Sequence, residues 1–320
     1  MAIDYRKALV TGGAGFIGNH LVRALVARGV HVRVLDDLSA GSLERLADLR
    51  GRFEFIHASI LDQRALAMAA EGVDVVFHEA ALVSVPASME QPLEYHETNA
   101  TGTLRVLEAA RRAGTRRVIY AASSSVYGEQ PDLPKRESQT PAPISPYAAS
   151  KYAGEVYVQV YAAAYGLQTI SLRYFNVFGP YQDPRSQYGA AIPMIVSRML
   201  RGQRPIIYGD GCQTRDFCFV ENVVHANLLA AEAEGLCGQA VNIACGREIV
   251  LNDVVRETNA ILGTSIEPEY APPRPGDVRR SVADISLAAR VIGYTPTVHF
   301  REGLRKSIEY YRTLAGRLAG

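Results

Sequence analysis

A glycine-rich loop near the start of the chain narrows the range of folds more than any other segment. The run 10–18 (VTGGAGFIG) follows a strand pattern directly and opens a helix pattern. Gly12 permits a tight turn, Gly15 lets the backbone approach a pyrophosphate, and Gly18 lets the helix pack on the strand. Phosphates would lie at the positive end of the helix dipole. The loop, with its neighbours Phe16 and Ile17, predicts a dinucleotide-binding unit.

An acidic residue ends the next strand pattern. Asp36 lies 18 residues beyond Gly18, where a carboxylate can accept hydrogen bonds from the diol of an adenosine ribose. The same charge repels a 2′-phosphate, so the sequence favours NAD over NADP. A glycine-rich turn followed by an unrelated surface aspartate is the alternative interpretation.

The first half of the chain alternates between strand and helix patterns. Strand patterns occur at 7–11, 31–36, 53–57, 73–79, 117–121 and 169–173, and helix patterns at 16–28, 63–70, 92–113 and 146–165. Such alternation implies parallel strands joined by right-handed crossovers. We therefore predict an α/β fold, a Rossmann-type doubly wound parallel sheet with helices on both faces.

The regular alternation of strand and helix patterns ends in the second half of the chain. There the segments 178–188 and 270–277 are rich in Pro, Gly and charged residues and are predicted to be loops. We predict an NAD-binding domain over residues 1–173, with elements returning to it from about 217–245. Residues 174–320 would mainly form a smaller mixed α/β lobe that binds substrate. A cleft between the two would be the ligand site.

Composition excludes several classes of function. With 34 basic and 33 acidic residues, the net charge of +1 gives no sign of a nucleic-acid or membrane partner. The four cysteines form no CxxC pair and have no histidine at metal-ligand spacing. We expect buried free thiols, no metal site and a cytoplasmic protein without a signal peptide or membrane span.

A tyrosine and a lysine lie four residues apart on a predicted helix. Tyr147 and Lys151 in the run 145–151 (SPYAASK) would share one helix face, and Lys151 is one of only four lysines in the chain. A nearby ammonium favours the phenolate, which makes Tyr147 a candidate general base. Such a pair on a solvated helix face, without function, is the alternative.

A serine run lies at the end of a predicted strand. Ser123, Ser124 and Ser125 would stand at the carboxyl edge of the sheet, where ligands of open α/β sheets bind. Their hydroxyls could hydrogen-bond a substrate hydroxyl and its ketone product, although a serine run alone is more often part of a loop.

Taken together, these segments resemble the extended short-chain dehydrogenase/reductase family, and within it the NAD-dependent UDP-sugar 4-epimerases. The resemblance covers nearly the whole chain and includes TGGAGFIG, HEAA at 78–81, NATGT at 99–103, SSSVYG, SPYAASK and LRYFN at 172–176. It implies a tightly held NAD and a 4-keto sugar intermediate that rotates within the site. Tyr147 would remove the proton from the sugar 4-hydroxyl, with Ser123 and Lys151 as its catalytic partners.

The resemblance also implies which residues contact the ligands. For the cofactor these are Gly12, Gly15, Phe16, Ile17, Gly18, Asp36, Asp37, Ser39, Gly41, Ser59, Ile60, Ala80, Ala81, Leu82, Asn99, Tyr147, Lys151 and Tyr174. For the UDP-sugar they are Ser84, Ser124, Ser125, Asn176, Gln182, Ala190, Ala191, Tyr208, Arg215, Arg274, Asp277 and Ser281. The arginines suit a diphosphate.

Three positions indicate the branch of the family. Ser124 and Ser125 stand where related 4,6-dehydratases carry Asp-Glu, which disfavours dehydration. The small Ser281 stands where a bulky tyrosine goes with rejection of N-acetyl sugars, so the chain resembles UDP-N-acetylglucosamine 4-epimerases. Ser59 and Val83 depart from the family pattern, and Val83 leaves exclusive use of acetylated sugars in doubt. We expect both UDP-N-acetylglucosamine and UDP-glucose to be handled.

Two other functions compete with this interpretation. One is a UDP-glucuronate 4-epimerase or decarboxylase, for which the sequence offers no clear partner for the C6 carboxylate. The other is a regulator that binds dinucleotide without turnover, although such proteins often lack the Tyr or the Lys. The resemblance further implies a homodimer joined by a four-helix bundle of the helices at 92–113 and 146–165, whose apolar residues exceed the needs of one sheet face.

Overall fold

A seven-stranded parallel sheet organises the protein. The computed structural model describes residues 5–183, 191–273 and 278–319. The central strands are β1 (Lys7–Thr11), β2 (His31–Asp36), β3 (Glu54–His57), β4 (Val75–His78), β5 (Arg117–Ser123), β6 (Gln168–Tyr174) and β7 (Ala240–Ile243). Their order is β7-β6-β5-β4-β1-β2-β3, and every neighbouring pair is parallel. The predicted Rossmann-type α/β fold is confirmed.

Helices cover both faces of the sheet. They are α1 (Phe16–Ala27), α2 (Gln63–Ala70), α3 (Val85–Glu90), α4 (Pro92–His96), α5 (Gly102–Arg112), α6 (Pro146–Tyr165), α7 (Ala191–Leu200), α8 (Val220–Glu232), α9 (Leu251–Leu262), α10 (Ser286–Ile292) and α11 (Phe300–Ala319). On one face α1 and α8 bury residues such as Leu25 and Val223 against the sheet. On the other, α2, α5 and α6 bury Leu66, Leu107 and Val158. The two apolar layers hold the strand ends in register, which fixes the site described below.

The boundaries of α6 follow from local chemistry. The Ser145 hydroxyl accepts a hydrogen bond from the Ala148 N–H at 3.2 Å, and Pro146 occupies the first helical position. Gly166 ends the helix in a left-handed conformation, with φ of 68°. This helix spans the residues predicted from the sequence, because its end signals lie in the sequence itself.

The helix predicted over 92–113 is confirmed as one unbroken run of helical backbone over 92–112, but the sequence did not predict the π-helical turn inside it. The structure has α4, a π-helical turn over Glu97–Thr101, and then α5. In that turn Asn99 points inward: its side chain accepts from the Leu82 N–H at 2.9 Å and donates to the Ser150 hydroxyl at 3.0 Å. The π-helical turn contains one residue more than an α-helical turn, and this directs the Asn99 amide toward Leu82 and Ser150. The periodicity of the sequence alone does not reveal such a turn.

The second half builds its own apolar cluster and returns one strand to the sheet. Phe178, Phe217 and Phe219 pack with α7, α9 and α11. Short paired strands frame this region: Val177–Phe178 with Cys218–Phe219, Thr214–Arg215 with Ile249–Val250, and Ile206–Tyr208 with Glu269–Ala271. Strand β7 lies beside β6, although it belongs to the second half. The division into two domains at residue 173 stays a prediction.

The cysteines only partly match expectation. All four are free, but Cys212 and Cys237 are exposed while Cys218 is buried. The expectation of buried thiols is therefore wrong for two of them, which lie in loops outside the apolar clusters. Across the described ranges, no helix has both the length and the apolar character to cross a bilayer.

Candidate active site

A cleft of about 790 Å³ opens at the carboxyl ends of the central strands. Gly12 follows β1, Asp36 ends β2, Ser123 ends β5 and Tyr174 ends β6, and all four line the cleft. The chain order of the sheet reverses between β1 and β4, so the loops after these strands separate and leave a crevice. Topology thus brings together residues that are far apart in the sequence.

The glycine loop is shaped by close backbone approach. Gly12 has φ of 68°, and a Cβ there would lie 2.7 Å from the backbone of Ala80. A Cβ on Gly18 would lie 2.1 Å from the Gly12 carbonyl oxygen. Only glycine fits at these two positions. The result is a groove lined by bare backbone at the start of α1, which fits the pyrophosphate of a dinucleotide.

Asp36 closes the adenosine end of this groove. Its carboxylate is 7% exposed and accepts hydrogen bonds from the Ala14 N–H at 2.9 Å and the Leu38 N–H at 2.8 Å. Burial raises the pKa of Asp36, and the two N–H donors oppose that rise. The neighbouring Asp37 accepts from the Ser39 backbone and hydroxyl, at 3.0 and 2.6 Å. The Asp36 carboxylate therefore ties the glycine loop to the loop after β2.

The predicted catalytic residues line the same cleft. Tyr147 is partly buried, which raises the pKa of its phenol, while a hydrogen bond with Ser123 lowers it. Lys151 is 4% exposed, and burial lowers its pKa to about 8. Its Nζ lies 4.4 Å from the centre of the Tyr120 ring. The Ser123 oxygen also accepts from the Ser125 hydroxyl at 2.9 Å. A phenol, a hydroxyl and an ammonium thus line one cleft.

Most of the residues expected to hold the cofactor line this cleft. Beyond the loop and catalytic residues they are Asp37, Ser39, Gly41, Ile60, Ala80, Ala81, Leu82 and Tyr174, together with Phe16 and Ile17. Ser59 and Asn99 lie outside its lining. The Ser59 hydroxyl accepts from the Leu61 N–H at 3.3 Å, and the Asn99 amide is occupied by Leu82 and Ser150. A direct cofactor contact of these two stays a prediction.

The predicted substrate residues fall on both sides of the cleft and in a smaller cavity beside it. Ser84, Ser124, Ser125, Gln182 and Ser281 line the cleft. The smaller cavity, of about 230 Å³, contains Ala191 and Tyr208, and it shares Asn176 and Arg215 with the cleft. Ala190, Arg274 and Asp277 lie outside the described residues.

Five charged residues of the cleft were not among the predicted site residues. They are Arg45, Glu79, Lys135, Asp183 and Arg280. Glu79 directly follows β4, so the strand-end argument that selected Ser123 could have found it. Lys135 and Arg280 lie on irregular segments, where the sequence carries no periodicity that would place them. Lys135 reaches the cleft because its N–H donates to the Val282 carbonyl at 2.7 Å.

Comparison with known proteins identifies the family. Residues 8–244 match the model of the NAD dependent epimerase/dehydratase family. The chain belongs to this family. NAD is therefore its cofactor, in agreement with the glycine groove and Asp36.

Three relatives cover nearly the whole length. A UDP-glucose 4-epimerase of Mycolicibacterium smegmatis is 41% identical over 96% of this chain and 98% of its own. A UDP-N-acetylglucosamine 4-epimerase of Methanobrevibacter ruminantium M1, solved with UDP-N-acetylmuramic acid, has a TM-score of 0.93 at 38% identity, over 98% and 100%. A UDP-glucose 4-epimerase of Thermotoga maritima, solved with UDP-glucose, has a TM-score of 0.92 at 39% identity, over 97% and 99%. The chain is thus similar to UDP-sugar 4-epimerases of both substrate types.

We predict that Asp36→Ala lowers the affinity for NAD at least tenfold, measured by calorimetry. The change removes the ribose acceptor and frees two backbone N–H groups, and hydrogen bonds to a charged acceptor contribute about 1.5–3 kcal/mol each. Asp62→Ala is the matched control, because Asp62 also accepts from two backbone N–H groups but caps α2 away from the cleft. Equal affinities in the two variants would contradict this role.

Proposed function

We propose that the protein is an NAD-dependent 4-epimerase that interconverts UDP-hexoses through a 4-keto intermediate. The observation that carries the proposal is that Ser123, Tyr147 and Lys151 line the same cleft as the glycine groove, with Tyr147 hydrogen-bonded to Ser123. A hydroxyl group of a sugar bound between them would meet a base on one side and the cofactor on the other. UDP-glucose/UDP-galactose and the N-acetylated pair UDP-GlcNAc/UDP-GalNAc are the proposed substrates.

Tyr147, Lys151 and Ser123 would each have a separate role in the reaction. When bound, NAD takes up a hydride from the sugar C4 and returns it to the other face. Tyr147, as phenolate, accepts the 4-hydroxyl proton and later gives it back. The ammonium of Lys151 stabilises that phenolate, and Ser123 donates a hydrogen bond to the oxygen as it becomes a ketone. Each role requires that water be excluded when the substrate is bound, because water would compete for the same hydrogen bonds.

The smaller cavity supports a site for the nucleotide. Phe178 and Phe217 give it an apolar lining suited to a base, and Arg215 stands where it meets the cleft. A guanidinium at that junction suits the diphosphate that links base and sugar. The diphosphate would remain bound there while the 4-keto sugar rotates in the cleft and presents its other face to the cofactor.

The sugar end of the cleft supports broad use of hexoses. Ser281 is small and leaves room for an N-acetyl group, and Ser124 and Ser125 offer hydroxyls but no carboxyl for the elimination of water. Val83 is 70% exposed at the rim, so it can turn away from a larger sugar. These features favour epimerisation of both acetylated and plain hexoses over dehydration.

A decisive assay offers each sugar separately. The purified protein is given UDP-GlcNAc, UDP-glucose and UDP-glucuronate without added NAD, and the products are separated by epimer. The family also contains a UDP-glucuronic acid 4-epimerase, so that substrate is included. Pentose or galacturonate products in the third arm alone would replace the hexose proposal, and no product in any arm would favour a regulator that only binds dinucleotide.

We predict that Tyr147→Phe keeps its bound NAD, because the cofactor groove is intact. Its turnover should fall by at least 100-fold, because the general base is removed. Product formation and NAD content are measured on the same preparation. Tyr165→Phe, at the exposed end of the same helix, is the control and should keep parental activity. Turnover by Tyr147→Phe at the parental rate would disprove the mechanism.

We predict that Ser281→Tyr reduces kcat/KM for UDP-GlcNAc at least tenfold more than for UDP-glucose. The phenol would fill the space proposed for the N-acetyl group, so the acetylated sugar loses fit and the plain sugar does not. Ser281→Ala keeps the wall small and should leave the ratio unchanged. Equal losses on both substrates would exclude Ser281 as the residue that limits the pocket.

We propose a homodimer joined through α5 and α6 of each copy, as a four-helix bundle. The support is an apolar strip on α6 that faces away from the sheet: Val156, Tyr157 and Val160 are 38%, 37% and 45% exposed. Aliphatic and aromatic residues side by side on one helix face are typical of a helix that packs against a partner.

We predict a solution mass near twice 34.8 kDa, measured by light scattering. Val160→Glu should shift it toward one chain, because a charge would be buried without a partner. Val83→Glu, exposed at the cleft rim, is the control and should leave the mass unchanged. A single-chain mass for the parent protein would end the dimer proposal.

A further inference from the structure

A buried arginine joins the helix that carries Tyr147 to the turn that follows Ser123. Arg173 lies on β6 and is 3% exposed. Its Nε and Nη2 atoms donate to the two carboxylate oxygens of Glu155 on α6, at 2.9 and 2.6 Å. Its Nη1 atom donates to the Tyr127 hydroxyl oxygen at 2.9 Å. One guanidinium therefore connects α6 with the segment after β5.

The contact with α6 constrains where the helix lies along the sheet. Glu155 follows Lys151 by one helical turn and Tyr147 by two, and it is buried. Because its pairing with Arg173 is bidentate, a slide or rotation of α6 relative to β6 would break at least one of the two hydrogen bonds. Apolar contacts such as that of Val158 are non-directional and do not fix the register in this way.

The contact with Tyr127 constrains the serine run. Tyr127 is the last residue of a 3₁₀ turn over Ser124–Tyr127, which follows β5 directly. Ser123 caps this turn, since its Oγ accepts from the Ser125 N–H at 3.2 Å. The Tyr127 ring is buried, lines the cleft and has its centre 5.0 Å from the Arg173 Cζ. A displacement of Tyr127 would therefore reach Ser123 through a single short turn.

A third element fixes the orientation of the Tyr127 hydroxyl. That hydroxyl donates to the Asn242 Oδ1 on β7 at 2.6 Å. The Asn242 Nδ2 donates to the carbonyls of Lys135 and Asp284, at 3.0 and 3.1 Å. Because carbonyls only accept, the amide nitrogen must face them and the amide oxygen must face Tyr127. The Tyr127 oxygen is thus presented as an acceptor to Arg173.

We propose that Arg173 is a positioning residue for catalysis. Through Glu155 and Tyr127 it holds α6 and the turn after β5 in the register that brings the Tyr147 phenol to the Ser123 hydroxyl. The inference rests on the proposed function only in the roles of Tyr147 and Ser123 as catalytic partners. The hydrogen bonds of Arg173 are a property of the folded chain itself.

A lysine at this position gives a conservative test. Arg173→Lys keeps the positive charge opposite Glu155, but an ammonium lacks the planar fork that serves Glu155 and Tyr127 together. Arg117→Lys is the matched control. Arg117 is equally buried, but it lies at the start of β5, away from the carboxyl ends of the strands, and its Nη1 donates to the Ala230 carbonyl of α8 at 2.9 Å.

Kinetics separate positioning from mere stability. In Arg173→Lys we expect kcat to fall at least tenfold, because the reacting groups are misplaced. KM should stay within about twofold of the parent value, and NAD content should be unchanged, because the ligand contacts remain. Arg117→Lys should keep the parental kcat. A parental kcat in Arg173→Lys, equal losses in both variants, or a loss of NAD together with kcat would each overturn the proposal.

A measurement without substrate tests the same link. The protein, with its 17 tyrosines labelled with carbon-13 at Cζ, is observed at neutral pH, and the Tyr147 signal is assigned by its loss in Tyr147→Phe. Ser123→Ala shows how this signal moves when the hydrogen bond with Ser123 is absent. Arg173→Lys should move it in the same direction, at least half as far, and Arg117→Lys should not move it.

Combining the changes shows whether they act through one contact. Once Ser123→Ala is present, Arg173→Lys should add little further movement, because the hydrogen bond it disturbs is already gone. An unmoved signal in Arg173→Lys, or movements that simply add, would overturn the proposal. If no hexose is epimerised, the proposed function fails while this measurement still tests Arg173.

A milder variant serves if Arg173→Lys does not fold. Tyr127→Phe removes a single hydroxyl from the network, so it should move the Tyr147 signal in the same direction and lower kcat by about threefold. Tyr294→Phe is its control, because the Tyr294 hydroxyl is also buried and donates to the Ala244 carbonyl at 2.8 Å, outside the network of Arg173. Equal effects of the two variants would contradict the positioning role.

Discussion

The structure depends on one close approach of backbone, between the loop after β1 and the first turn of α1. A Cβ on Gly18 would lie within 2.1 Å of the Gly12 carbonyl, so helix and loop can meet only when no side chain intervenes. This contact aims the N-terminus of α1 into the crevice where the sheet order reverses. The cofactor groove and the position of Asp36 follow from it.

A second physical theme is the burial of charge around that groove. Asp36, Lys151 and Glu79 are each at least partly removed from water. Burial raises the pKa of the two carboxyls and lowers that of the lysine, so it favours the neutral form of each group. Such burial costs stability unless hydrogen bonds or opposite charges compensate. Backbone N–H groups compensate Asp36, while the Tyr174 hydroxyl donates a hydrogen bond to Glu79. Burial moves the pKa of Glu79 to about 7 and that of Lys151 to about 8, and groups that titrate in this range are suited to acid–base chemistry.

Local signals in the sequence were sufficient for the extent of two long helices, but not for a π-helical turn inside one of them. Helix α6 was predicted to its ends because Ser145 caps it and Gly166 terminates it, and both act within one turn. The helix over 92–113 was predicted as one piece, yet Asn99 opens a π-helical turn to reach Leu82 and Ser150. Those two partners are 17 and 51 residues away, so no periodicity within the segment could reveal them.

The sequence by itself determined the βαβ order, the glycine loop, the acidic residue after it and the Tyr–Lys pair, because each is encoded within a few residues by spacing and side-chain chemistry. Only the tertiary structure decided that Glu79 accepts a hydrogen bond from Tyr174, that Lys135 reaches the cleft, and that Asn99 and Ser59 do not line it. Such relations depend on which strand ends and loops become neighbours once the sheet forms. Burial, and with it the charge state of every group in the cleft, exists only after that packing is complete.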